Sequence, residues 1–137
     1  MALTKTPICD FNLNAFDFKL KSVENTLLSL SDIKGENGTL IMFICNHCPY
    51  VKAIIKDLVE DCEKLKDLGI NSVAIMSNDT INYPDDSYEN MIKFSTKYKF
   101  CFPYLIDETQ EIAKKYDAVC TPDFFGYNKK LKLNYCL

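Results

Sequence analysis

Cys45 and Cys48, with His47 between them, form the segment C-N-H-C in a chain of 137 residues. Two thiols at this spacing are close enough for one to attack a disulfide and for the other to resolve the mixed disulfide that forms. The thiolate is the reacting species, so its surroundings decide whether such a pair works at neutral pH. His47, the single histidine of the chain, brings an imidazole beside the sulfurs, where it favours the anion.

The elements around the pair follow from hydrophobic pattern. Thr39 to Ile44 is an apolar β-type run that ends at Cys45. Beyond Cys48, the residues Val51, Ile54, Ile55, Leu58, Val59, Cys62 and Leu65 recur at helical spacing. A helix from about Asn46 to Leu68, stopped by Gly69, places Cys45 at or next to its N-cap. The first N–H groups of a helix lack intrahelical partners and carry the positive end of its dipole. On this reading Cys45 is the exposed nucleophile, with a pKa depressed to roughly 4 to 7, and Cys48 is the more buried resolving thiol.

Composition limits what else the chain can be. It is 47% hydrophobic with a formal net charge of -3, which suits one compact domain spanning 1–137. All of its cationic side chains other than His47 are lysines, with no arginine and no basic stripe for a phosphate backbone, so nucleic acid is not an expected partner. No run reaches membrane-spanning length and the first residues lack the apolar core of a signal peptide, so the expected location is cytoplasmic. Seven cysteines could suggest a disulfide scaffold, but the odd number and the ample apolar content favour thiols. A zinc site would need a second C-x-x-C or a C/H pair, so neither a metal nor a cofactor is expected. Cys62 falls on the apolar stripe of the long helix as a packing residue. Cys9 and Cys101 have no partner the sequence names.

In chain order, residues 11–30 alternate around K-S-V-E-N-T and read as a β-hairpin extension. Ser31 to Ile33 start a short turn or helix, and Gly35 to Gly38 form a loop before the central strand. Ser72 to Met76 is a second buried strand, parallel to the first across the helix. A polar loop, N-D-T-I-N-Y-P-D-D, leads to Ser87 as N-cap of a helix through about Tyr98. Phe102 to Ile106 is a short extended piece, and Asp107 caps a further helix ending near Asp117. Phe124 to Tyr127 and Leu131 to Leu137 flank the turn N-K-K, with Leu131, Leu133, Tyr135 and Leu137 on one face.

This β-α-β order with a late hairpin is that of a thioredoxin-like α/β fold, a central mixed sheet flanked by helices. C-N-H-C-P-Y-V-K at 45–52, Y-P-D-D-S-Y-E-N-M at 83–91, F-P-Y-L-I-D-E-T-Q at 102–110 and V-C-T-P-D-F-F at 119–125 together resemble the redoxins of the alkyl hydroperoxide reductase and thiol-specific antioxidant superfamily. The resemblance implies that Thr121 and Pro122 form a cis-proline loop facing the C-x-x-C, with Cys120 just before it. It implies thiol-disulfide exchange with a protein or small-molecule disulfide as substrate and a thiol as electron donor.

Two other functions come from different chemistry. A peroxidase of this superfamily usually sets a threonine three residues before its cysteine, together with an arginine, whereas Met42 stands there and arginine is absent. A non-catalytic binding module would use the thiols only for contact or metal, and a copper-transfer role would need a distal histidine. No carboxylate lies on the strand or the first helical turn, so the proton acceptor has no assignment. The chain ends at a strand where thioredoxin-like domains continue into a helix. The expectation is an uncovered sheet face, with self-association or marginal stability as its result.

Overall fold

The computed structural model describes residues 13–118 and 121–136. Cys9 and Cys120 therefore lie outside the described residues, as does Leu137. The strands are β1 (Lys19–Ser22), β2 (Leu27–Ser29), β3 (Gly38–Phe43), β4 (Ile70–Met76), β5 (Tyr104–Ile106), β6 (Asp123–Asn128) and β7 (Leu133–Cys136). The helices are α1 (Leu30–Ile33), α2 (Pro49–Asp67), α3 (Tyr88–Lys97) and α4 (Glu111–Lys115), with a 3-10 turn at Pro84–Asp86.

All seven strands join one sheet in the order β2-β1-β5-β4-β3-β6-β7. The pairs β3–β4 and β4–β5 are parallel, and the others are antiparallel. The N-terminal hairpin, the parallel crossover and the late hairpin stand where the hydrophobic pattern places them.

Alternation along the central strands divides the core in two. Met42 and Ile44, with Ala74, Met76, Tyr104 and Ile106, pack against Val51, Ile55, Val59 and Cys62 of α2 and Met91 and Phe94 of α3. Ile41 and Phe43, with Val73, Ile75 and Leu105, pack on the opposite side against Leu30, Ile33, Ile112 and Tyr116. Because strands buried on both faces leave few polar positions, Leu40 to Phe43 of β3 and Val73 to Met76 of β4 read as continuous apolar runs.

Local chemistry sets the ends of the elements. Gly69 closes α2 at φ +79°, a left-handed conformation that glycine adopts without a Cβ clash. Ser87 accepts a hydrogen bond from Asn90 N–H and starts α3. Asp107 Oδ2 accepts from the N–H groups of Ile112 and Ala113 and from Ser77 Oγ. It thus caps α4, which begins only at Glu111 after Gln110 in the left-handed region.

The start of α2 differs from expectation. The helix begins at Pro49 with Cys48 as N-cap, so Cys45 is three residues short of the cap. Proline has no N–H to leave unpaired at the first helical position, and its ring drives the preceding residue out of the helical region. Cys48 is accordingly extended, at φ -66° and ψ 122°.

The last strand also departs from expectation. Leu131 stands in the turn at φ +60°. Leu133 is buried while Tyr135 is 51% exposed, so they do not share a face. The register shifts between Gly126 and Tyr127, which pair with Tyr135 and Leu133. One extra residue on β7 reverses the alternation there.

Candidate active site

β3 leads into Cys45, and residues 46–47 bend before Cys48 begins α2. The two cysteines are free and sit 4.3 Å apart. The peptide bond between Thr121 and Pro122 is cis, as the resemblance implies, and Thr121 touches both sulfurs. Its Oγ1 is 3.3 Å from Cys45 Sγ, and its carbonyl oxygen accepts from Cys48 Sγ at 3.6 Å. Thr121, Pro122, Cys45, Cys48 and His47 are thus gathered at one end of β3 and β6.

Cys45 is 1% exposed and Cys48 is half-buried, the reverse of the expected exposures. Burial pushes the Cys45 thiol up to about 11; the Thr121 hydrogen bond opposes this and the Asp86 charge adds to it. The expected depression is therefore absent at Cys45. The reason is position: the sulfur lies behind the helix start, packed among Met42, Ile44 and Val51, where an anion is poorly solvated.

A buried carboxylate, Asp86, stands beside the dithiol. Asp86 is fully buried, although its neighbour Asp85 is exposed. Its Oδ1 accepts from Asn46 N–H at 2.7 Å, and its Oδ2 accepts from Asn78 Nδ2 at 2.8 Å. His47 Nδ1 approaches Asp86 Oδ2 at 2.6 Å, an ion-pair contact without hydrogen-bond geometry, and this nitrogen has no hydrogen-bond partner. Asn46 extends the network, taking a hydrogen bond from Tyr104 Oη at 2.8 Å and donating to the Asp85 carbonyl at 3.1 Å. Burial, then the nearby Cys45 and Asp86, hold the Tyr104 phenol well above its ordinary range. Tyr83 stacks on the His47 ring, with centroids 5.4 Å apart and planes 6° from parallel.

Asp86 belongs to the Y-P-D-D segment that carried the resemblance, but that reading gave it no role. Adjacent aspartates before a helix read as solvated cap residues. The 3-10 turn that rotates one of them inward is the missing step, and Pro84 at its start is the available signal.

Cys45, His47 and Asp86 present donor atoms within 4.8 Å of one another, and thiolate, imidazole and carboxylate are zinc-type ligands. Tetrahedral bonds of about 2.0–2.3 Å hold neighbouring donors roughly 3.3 Å or more apart. The 2.6 Å approach of His47 to Asp86 is instead too close for two ligands of one ion. Elsewhere, Cys62 is packed in the core as expected, its thiol pushed up to about 11 by burial. Cys101 Sγ donates to the Val59 carbonyl. Cys136 is disulfide-bonded, unlike the thiols expected for most cysteines. No helix among the described residues is long and apolar enough to cross a membrane.

The chain is similar to an uncharacterised conserved protein from Geobacillus kaustophilus, at 42% identity and a TM-score of 0.92, over 97% of this chain and 74% of that one. A hypothetical protein from Sinorhizobium meliloti matches at 35% identity and a TM-score of 0.91, over 95% and 71%. More distant is the peroxidoxin of Mycobacterium tuberculosis, at 15% identity and a TM-score of 0.75, over 93% and 84%. A thioredoxin domain of a thiol-disulfide oxidoreductase from Bacteroides vulgatus matches at 16% identity and a TM-score of 0.78, over 94% and 89%. No curated protein matches the chain. The fold is thioredoxin-like, and with the AhpC/TSA family profile matching residues 12–136, the chain belongs to the AhpC/TSA family.

Proposed function

We propose that the protein is a thiol-disulfide oxidoreductase acting through Cys45 and Cys48, with Cys48 as the thiol that meets substrate. The observation that carries this reading is the pair itself: two free cysteines 4.3 Å apart, bridged by Thr121, with only Cys48 open to an incoming sulfur.

The reaction begins when the Cys48 thiolate attacks one sulfur of a substrate disulfide. A Cys48–substrate bond forms, the substrate S–S bond breaks, and one substrate thiolate leaves. Cys45 then gives up its proton and attacks the Cys48 sulfur. This forms the Cys45–Cys48 disulfide and releases the second substrate thiol, and an external thiol donor returns the pair to the reduced state.

The difficult event is ionising Cys45 in an apolar setting. Moving its proton onto the His47–Asp86 pair leaves the buried net charge unchanged, which avoids placing a second anion beside Asp86. Thr121 Oγ1 can donate to the sulfur as charge develops there. The substrate is a protein or small-molecule disulfide, and the cytoplasm supplies the thiol donors such a cycle needs.

The test is mechanism-based trapping. A Cys45→Ser variant should accumulate a mixed disulfide at Cys48 when mixed with a disulfide substrate, detected by mass spectrometry. A Cys48→Ser variant should accumulate none. An adduct at Cys45 in the second variant, with none at Cys48 in the first, would reverse the roles, and absence of adducts in both would remove the activity.

A further inference from the structure

Asn46 and His47, the two residues between the cysteines, line a cavity of about 360 Å³ together with Lys52, Asp85, Lys93 and Lys97, with Asn90, Phe94 and Tyr98 completing its wall. Its size falls within the range of small-molecule sites. Lys52 stands on the first turn of α2, its N–H bonded to the Cys48 carbonyl. Asn90, Lys93, Phe94 and Lys97 follow one another at three- and four-residue spacing and so share one face of α3. Phe94 and Tyr98 meet edge to face, with centroids 5.0 Å apart, and give the wall an apolar part.

Charge sets this cavity apart from the chain around it. The protein is net acidic, at -3, yet three lysines line this cavity against the single lining carboxylate of Asp85. Among the described residues, none of the three ammonium groups is paired with a carboxylate; Lys97 Nζ lies 5.3 Å from the Tyr98 ring centroid. Uncompensated cations held around a concavity concentrate anions and raise their encounter rate.

We infer that the cavity selects a small disulfide bearing carboxylates, holding the anionic part of one half of the molecule while its sulfur reaches Cys48. This names a substrate class for the proposed exchange and rests on that reading. The reaction is reduced protein dithiol plus RSSR giving protein disulfide plus two RSH, so two electrons pass to the substrate and both protons leave on its thiols.

The experiment compares oxidation of the reduced protein by glutathione disulfide, which is anionic, by neutral hydroxyethyl disulfide and by cationic cystamine. Second-order rates should fall in that order, and added salt should slow only the first. In a Lys93→Glu/Lys97→Glu variant, whose substitutions lie on exposed positions, the ratio of the glutathione rate to the hydroxyethyl rate should drop about tenfold or more. Equal rates for the three disulfides, or an indifferent double variant, would overturn the inference.

A second measurement needs no turnover. Unreactive S-methylglutathione should bind the reduced protein, and its Kd should rise about tenfold or more in the double variant. Absence of binding would overturn the inference. Binding that depends on the lysines, without oxidation by any of the three disulfides, would instead uphold the cavity and remove the exchange reaction.

Discussion

His47 Nδ1 lies 2.6 Å from Asp86 Oδ2, and this contact ties the middle of the C-x-x-C to a turn that follows β4. Asn46 N–H donates to Asp86 Oδ1 and Asn78 Nδ2 to the same Oδ2 that faces His47, so the carboxylate beside the imidazole is held at both oxygens.

Replacing Asp86 by Ala should cost about 1–3 kcal/mol of stability, because it strands the donors of Asn46 and Asn78. Urea denaturation measures it. Asp86→Asn keeps the volume. It should slow decay of the Cys48 mixed disulfide in single-turnover experiments while leaving its formation fast.

Alkylation distinguishes the two cysteines directly. At neutral pH, iodoacetamide should label Cys48 of the reduced protein well before Cys45, read by peptide mass spectrometry. The Cys45 rate should rise only as pH approaches about 11. Preferential labelling of Cys45 at neutral pH would contradict the assignment of roles.

Thr121→Val removes one hydrogen bond to Cys45 and keeps the carbonyl that faces Cys48. Since that bond lowers the Cys45 pKa, its loss should make the thiol harder to ionise and slow resolution by roughly fivefold, the effect of about 1 kcal/mol. Stopped-flow kinetics of mixed-disulfide decay would show it.

Stability should decline in alkali. Cys45 and Cys62 are each raised from 9.0 to about 11 by burial, so between these values the folded state holds protons that the unfolded chain has lost. Their contribution is complete below about pH 9 and disappears as pH rises through 11. The thermal midpoint should fall over this window, and less steeply in a Cys62→Ala variant.

Much of this arrangement is legible in sequence because it depends on local rules. The apolar run into Cys45, the stop at Gly69, the Ser87 cap and the Thr-Pro pair each carry their own signal. The start of α2 was also legible, since Pro49 marks a first helical position, but the apolar periodicity alone draws the helix back to Asn46. Asp86 was not, because its burial depends on a 3-10 turn that packs against residues 40 positions earlier. The separation of Leu133 from Tyr135 likewise depends on a strand irregularity that no side chain announces.

The distances along the chain between partners at the dithiol have a consequence for how the protein acquires its chemistry. Asp86 meets Asn46 across 40 residues and Thr121 meets Cys45 across 76. Both loops must be closed, and β3 paired with β4 and β6, before these groups stand together. Loop closure over such lengths makes assembly non-local and slow relative to helix formation. A nascent chain that has formed α2 therefore carries two cysteines without the surroundings described for them. During that interval they are ordinary thiols, open to mispairing, and the sheet must close before they can discriminate among disulfides.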